Sequence, residues 1–487
     1  MKMISIILVA IGSIIIIGSI IINPPAIGVF DMRDTPLPPV AVEPKEYFYN
    51  QEASLTFPNE FYIELSTPSS NLVVSYPPLH DVVSFDSYIQ WQYHETYAYE
   101  ATLTYDEYNQ VLGSPDCLGI WLVPTIVFDD FRPTDYNSYL NMQVALDTTG
   151  ISALHSEGNR GQNTIAVLYD DLPPAYIFYS YIPSSWSSRI IRYPAQTDPA
   201  ALHGIMTTSV LGQVAPEAQL YLISFNESPD IISAFAKIQS LITTYPEKTI
   251  ISSNSWCFYP GPELENPNNI INRAISTAAE KGVICCFGAG NWAHSGEHNP
   301  EWTYDAGYDA RNEYFNRDNE IGYPSALDNV VCVTGCTADE TMIVSYSSLG
   351  KGIDNHMKPD VAAPTHFTCD FSPYGGSYGT SGATPFMAGV LSCVASAYAL
   401  NPKDIIQRLR GSSMDRGIGG FDEEFGYGCV DAMKLFDDYP KWWLSLPVDT
   451  LSGIIMCGIG LGLVAIPKDE SEEYNPSEHP PINEAEE

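Results

Sequence analysis

Five short runs in the middle of this chain carry no charged side chain and, the hydroxyl and amide residues of the third apart, are near-continuously apolar: TIAVLY (164–169), QLYLISF (219–225), TIISSNSW (249–256), GVICCFGAG (282–290) and VVCVTGC (330–336). A strand with one wet face alternates polar and apolar residues, so a run with no polar phase is a strand buried on both faces. Helical stretches over 199–213, 229–245 and 267–281 separate several of the runs. Buried strands alternating with amphipathic helices predict an α/β fold: a mostly parallel sheet flanked by helices on both faces. Sheets of this kind present their working residues at the carboxyl ends of the strands.

The residues at those ends are informative. The first run closes on Asp170 and Asp171, and His203 with Gly204 stands near the start of the next helical stretch. The fourth run ends GAGN, presenting Asn291 at the head of an insertion, 291–322, that is too long for idle packing. Ser381 lies in GTSGATPFMAG (379–389), at the start of a stretch without a charged side chain that runs to Leu400. Such a stretch is long enough to cross a membrane, or to form a helix buried all round, and Thr380 or Ser381 could simply cap its N-terminus. The functional alternative is a nucleophilic Ser on a turn into a helix. An Asp, a His, an amide and a Ser on one rim are what acyl transfer needs. The Ser hydroxyl attacks only if His accepts its proton, and a carboxylate holds the His tautomer. The side-chain amide of Asn291 and the N–H of Ser381 would stabilise the oxyanion. The chain order Asp, His, Ser differs from that of the chymotrypsin and α/β-hydrolase arrangements. GTSGA also lacks the second Gly of G-x-S-x-G, and the only His after Ser381 is His479.

Along roughly residues 150–437 the chain resembles the subtilases, the subtilisin-like serine proteases. The resemblance is carried by Gly379-Thr380-Ser381-Gly382-Ala383-Thr384-Pro385 with Ala388-Gly389, by HGIMTTSVLGQVAPEAQLYL (203–222) and by Gly290 before Asn291. GYPSALDNVVCVTG (322–335), YSSLGKGIDNHMKPDVAAP (346–364) and FGYGCVDAMKLF (425–436) add core segments of the same kind. The resemblance implies a subtilisin-like fold and a serine endopeptidase with Asp170, His203 and Ser381 as its triad and Asn291 in its oxyanion hole. It also implies a substrate cleft formed by Ser255, Trp256 and Cys257 with Gly288 and Gly290, protein or peptide substrates, and no cofactor for the chemistry. The motifs around the Asp and His depart from the family. YDDLPP lacks the usual hydroxyl residue and Gly after the Asp; counting from Gly161 puts Asp170 in the catalytic place, with Asp171 in reserve. Ile205-Met206-Thr207-Thr208 replaces the usual residues after the His-Gly pair, and Cys257 stands where the family has Gly, which narrows the specificity pocket. These departures leave a catalytically weak surface binding protein as an alternative. The sedolisins share the fold but would require an Asp where Asn291 stands and a Glu in the helix of His203.

The rest of the chain divides by composition. Residues 45–127 read as a small α+β module with a helix start at TYDEYNQVL (104–112) and a strand over 118–127, and residues 88–127 faintly resemble the end of a subtilase inhibitory prodomain. A connector, 128–150, joins it to the catalytic domain, 151–437. Ahead of the module lie a Pro-rich linker (24–44) and the apolar run ISIILVAIGSIIIIGSIII (4–22), read as an uncleaved membrane anchor over 1–23 in preference to a signal peptide. TLSGIIMCGIGLGLVAI (450–466), preceded by Trp442 and Trp443, reads as a transmembrane segment over 447–467 or else a buried helix, and 468–487 as an acidic disordered tail. Two spans put both ends in the cytoplasm and the catalytic domain outside the cell. With 22 Lys and Arg against 59 Asp and Glu, a net charge of −37 argues against nucleic acid as a partner. Ten cysteines show no zinc-ligand spacing, and Cys285, Cys286 and Cys332 read as small buried hydrophobes. The family resemblance allows structural calcium, for which Asp305, Asp309, Asp318 and Glu320 offer oxygen ligands, although acidic loops are commonly just solvated.

Overall fold

The computed structural model describes residues 59–65, 83–89, 92–114, 116–123, 126–127, 140–193, 198–224, 231–258, 266–291, 293, 320–352 and 356–439. The two apolar runs read as membrane segments, the Pro-rich linker, the acidic tail and most of the 291–322 insertion lie outside them. No helix among the described residues is long and apolar enough to cross a membrane.

The N-terminal module is a four-stranded antiparallel sheet with one helix. Its strands β1 (Asn59–Leu65), β2 (Val83–Ile89), β3 (Gln92–Leu103) and β4 (Cys117–Leu122) lie in the order β2-β3-β1-β4. Helix α1 (Tyr105–Leu112) starts where the sequence signals it. Thr104 accepts from the Glu107 N–H and the Glu107 carboxylate accepts from the Thr104 N–H, a reciprocal capping box. The run read as one strand over 118–127 is two strands with different partners. β4 pairs with β1, whereas β5 (Ile126–Val127) leaves the module and pairs antiparallel with β11 (Cys257–Phe258) of the following domain.

The larger domain begins with β6 (Leu140–Asn141), α2 (Met142–Thr148) and α3 (Ile151–Ser156). Its sheet then takes in β7 (Thr164–Asp170), β8 (Ile190–Tyr193), β9 (Gln219–Ser224), β10 (Thr249–Asn254), β12 (Ile284–Gly288), β13 (Val331–Cys336) and β14 (Val361–Pro364). Their spatial order is β14-β13-β12-β10-β7-β9-β8, and every pairing is parallel. Between them run α4 (Ala175–Tyr181), α5 (His203–Val214), α6 (Ile231–Thr244) and α7 (Ile270–Lys281). After the sheet come β15 (Phe367–Thr368), α8 (Gly379–Ala395), α9 (Pro402–Ser412) and α10 (Ala432–Asp437).

Alternation along each strand shows why the runs are apolar throughout. On β7, Ala166 and Leu168 join a core with α3, α5 and α8, while Ile165, Val167 and Tyr169 join a second core with α6 and α7. β9 and β12 divide in the same way. Helices thus cover both faces, as the sequence predicts. The uncharged stretch after Gly379 is the most enclosed helix, with all 17 residues of α8 buried. It lies against α5 through Gly389, where a Cβ would stand 2.6 Å from Val214. The strand order reverses at β7, whose neighbours β9 and β10 both follow it in the chain, so a crevice opens at its carboxyl end. Asp170 is its last residue.

Candidate active site

Asp170 is fully buried and its carboxylate is fully engaged. The Nδ1–H of His203 donates to Oδ1 at 2.7 Å, the N–H of Asp171 donates to the same oxygen at 2.8 Å, and the Thr207 hydroxyl donates to Oδ2 at 2.8 Å. The bond from Nδ1 sets the tautomer and leaves Nε2 as the basic nitrogen. His203 is 1% exposed, so this pair sits in a low-dielectric setting. Asp171, the reserve candidate, is 4.0 Å from His203 Nδ1. Its Oδ1 and its carbonyl oxygen both accept from the N–H of Gly204, at 2.9 and 3.0 Å. Burial, then the charge of Asp170, pushes its carboxyl up to about 7. This contact explains the glycine after His203: a Cβ on Gly204 would lie 2.0 Å from the Asp171 carbonyl oxygen.

Ser381 sits in the first turn of α8. Gly379 ahead of it has φ +70, a left-handed conformation that a side chain would strain. Pro385, four residues after Ser381, has no N–H to give, so the Ser381 carbonyl lacks its helical donor. The Ser255 hydroxyl takes that place at 3.0 Å, and the Ser381 hydroxyl donates back to the Ser255 carbonyl at 3.4 Å. In this resting arrangement the Ser381 hydroxyl bonds to Ser255 rather than to His203; catalytic hydrogen bonds are often long or misaligned before substrate arrives.

Asn291 follows β12 and Gly290, whose φ is +104. Its Oδ1 accepts from the N–H and hydroxyl of Thr380 at 2.8 and 3.0 Å, which turns Nδ2 the other way. Nδ2 and the Ser381 hydroxyl flank one point above Gly379, since a Cβ built there would be 3.2 Å from the first and 3.5 Å from the second. An amide donor and the Ser381 hydroxyl oxygen therefore face the same small space. Gly288 keeps this junction tight, because a Cβ there would be 3.0 Å from the Thr380 hydroxyl.

The cleft residues divide. Ser255 is buried against Ser381, and Cys257 is half-buried on β11 beside β5. The side chain of Trp256 turns away into the core, with ring centroids 5.3 Å from Phe287 and 5.8 Å from Tyr169. The sequence-based expectation puts Trp256 beside the substrate; its indole lies in the core covered by α6 and α7, which leaves its main chain, next to Ser255, for that role. Of the four proposed calcium ligands, Glu320 alone lies among the described residues. It is buried and accepts from the Leu349 N–H at 2.7 Å.

Sequence reading missed three supporting residues. Thr207 is one turn after His203, a spacing that puts both on one helix face. Tyr346 opens the quoted segment 346–364, where nothing marks its hydroxyl's role, and His366 lies just beyond it. The Tyr346 hydroxyl accepts from the Gly379 N–H at 2.7 Å and lies 2.7 Å from His366 Nε2, whose ring burial holds down to a pKa of about 4.

A family model described as the subtilase family matches residues 195–428. The minor extracellular protease Epr of Bacillus subtilis is 23% identical over 244 residues, covering 47% of this chain and 32% of its own length. Halolysin of Haloferax mediterranei is 33% identical over 116 residues, 23% of this chain and 21% of that protein. Subtilisin NAT of Bacillus subtilis subsp. natto is 25% identical over 271 residues, 50% of this chain and 59% of that protein. The chain thus spans about a third or less of the first two relatives. Among solved structures, fervidolysin from Fervidobacterium pennivorans, a keratinolytic enzyme related to subtilisin, aligns with a TM-score of 0.50 at 17% identity over 78% of this chain and 61% of that one. At that identity the likeness bears on the fold alone. The parallel sheet with helices on both faces is that of the subtilisin-like fold, and residues 195–428, which carry His203, Asn291 and Ser381, are similar to the subtilase family.

Proposed function

We propose that the chain is a serine endopeptidase that hydrolyses peptide bonds through an acyl-enzyme. The observation that carries this reading is the buried His203–Asp170 contact of 2.7 Å on the same rim as Ser381 and the Asn291 amide. Ser381 attacks the scissile carbonyl as His203 Nε2 takes its proton, and Asp170 stabilises the resulting imidazolium. Asn291 Nδ2 and the Ser381 N–H receive the oxyanion. His203 then returns the proton to the leaving amine, and water repeats the sequence on the ester. Hydrolysis of an unfolded protein by the wild-type chain, abolished in Ser381→Ala and in His203→Ala, tests the proposal.

The N-terminal module acts as an inhibitory prodomain in this reading. Support comes from β5, which lies along β11 beside the cleft, and from a buried ion pair of Glu64 with Arg273 on α7. The Trp121 indole N–H donates to the same Glu64 carboxylate at 3.4 Å. Segments 4–22 and 450–466 would anchor the chain with its catalytic domain outside the cell. Cleavage within 128–150 would then leave 450–466 as the sole tether of the catalytic part. Fractionation of chains truncated after Asp438 tests this: active protease should move to the soluble fraction. A catalytically weak binding protein is the second reading, favoured by the Ser381 hydroxyl resting on the Ser255 carbonyl; it requires that Ser381 stay unreactive.

A further inference from the structure

Three side chains from distant parts of the sequence meet at the end of β13. Cys336 is the last residue of that strand, and Glu340 follows on the next turn. Cys429, 93 residues after Cys336, arrives on a segment bridged to Ala362 of β14 and to Met414. The two sulfurs are 3.9 Å apart, Cys429 Sγ is 3.8 Å from the Glu340 carbonyl oxygen, and one ligand atom from each residue lies within 4.8 Å of the others. All three residues are fully buried.

Glu340 is the anomaly. A buried carboxyl group needs partners, yet neither of its oxygens has a hydrogen bond among the described residues. The turn nevertheless holds it inward. Glu340 adopts φ +56, an uncommon conformation for a residue with a long side chain. Its N–H donates to the Thr337 carbonyl at 2.8 Å, and the Thr337 N–H donates to the Met342 carbonyl at 2.9 Å. Asp339 braces the turn by accepting from the hydroxyls of Thr337 and Thr341 at 2.6 and 2.8 Å. Burial pushes the Glu340 carboxyl up to about 8 against the opposing field of Arg416, and pushes the Cys336 thiol well up. Left alone, this is a neutral polar group stranded beside two thiols.

We propose that Cys336, Cys429 and Glu340 form a structural zinc site. Two thiolates at about 2.3 Å from a tetrahedral ion stand roughly 3.8 Å apart, close to the separation found. A disulfide would need the sulfurs about 2 Å apart, and so a large inward shift. Thiolate ligands select zinc over calcium or magnesium. The ion displaces the thiol protons and any proton on Glu340 to solvent, with no change of oxidation state. The fourth position falls to the Glu340 carbonyl or to a water. The cross-link fastens the turn after β13 to the strand-like segment at Cys429, a contact that spacing rules could not reveal because the ligands are far apart in sequence.

The test uses the full-length chain carrying Ser381→Ala, which prevents self-digestion. Elemental analysis should find about one zinc per chain, as expected for a single structural site. Cys336→Ser or Cys429→Ser should remove it, and Glu340→Gln should weaken it by on the order of tenfold or more. Cobalt exchanged into the unmutated site should show thiolate-to-cobalt charge-transfer bands that each variant diminishes. Should the serine variants fail to fold, the cobalt spectrum of the unmutated chain and a chelator-induced fall in Tm, restored by zinc, carry the test. Three results would overturn the proposal: no zinc bound or taken up, zinc undiminished in folded cysteine variants, or a Cys336–Cys429 disulfide in peptides mapped without reduction.

Discussion

Thr207→Val offers a sharp test of how the Asp170 carboxylate is held and of the role proposed for it. Thr207 donates to Asp170 Oδ2 at 2.8 Å, the one hydrogen bond that oxygen has among the described residues, and both residues are wholly buried. Valine keeps the shape and removes the donor. A hydrogen bond to a charged group is worth about 1.5–3 kcal/mol, and its loss here leaves a buried carboxylate oxygen unsatisfied. If the loss fell entirely on the transition state, it would slow turnover by about 10- to 100-fold, since each 1.4 kcal/mol is tenfold. Part of it will appear instead as lower stability, so we expect a fall in kcat of about tenfold together with a lower Tm. KM should hold, because a buried group behind the Asp does not meet substrate. Thr207→Ser, which restores the hydroxyl, should recover most of kcat. Steady-state kinetics on a peptide substrate, with kcat and KM resolved, read all of this. Wild-type kcat in Thr207→Val, or a Ser variant as impaired as Val, would refute the reasoning.

Asp170→Asn should reduce kcat by on the order of 10³–10⁴ through the wrong His203 tautomer, while Asp171→Asn stays mild; kinetics showing the reverse would move the triad by one residue. Asp171 also predicts a pH effect. Its unfolded carboxyl ionises near pH 4 whereas the folded one keeps its proton to about 7, so the native state binds more protons in that window and stability falls as pH rises. Denaturant titrations at several pH values should show this slope flattened in Asp171→Asn. Gly379→Ala would strain a φ of +70 and push a methyl between Asn291 Nδ2 and the Ser381 hydroxyl, so kcat should drop on the order of 10²-fold or more, measured beside a circular-dichroism check of folding. Arg273→Ala leaves Glu64 buried and uncompensated at the module's interface, a change of about 3–5 kcal/mol, so inhibition by the module added in trans should weaken sharply.

The interior strands were legible because parallel strands covered on both faces admit few polar residues. The two edges of the sheet were not: β8 and β14 are four residues each, too short to show a period, and β14 ends in a proline. The split of 118–127 between two sheets was also hidden, since the choice of partner for β5 is made by another domain. At the site, Asp170, His203, Asn291 and Ser381 could be assigned to the ends of elements, but not their separations. Trp256 shows the limit. A motif places the residue beside Ser255, while packing against Tyr169 and Phe287 decides that its indole goes to the core. Tyr346 opens the quoted segment 346–364 and His366 lies just beyond it, but nothing in either stretch reveals that they support Gly379.

The most direct measurement is to locate a fluorophosphonate adduct by peptide mass mapping, with the N-terminal module in place and again after limited proteolysis has removed it. We expect the adduct on the peptide containing Ser381, more of it once β5 no longer lies along β11, and none in His203→Ala. A chain that stays unlabelled in both states, or labelling that persists in Ser381→Ala, would contradict the assignment of Ser381 as the nucleophile.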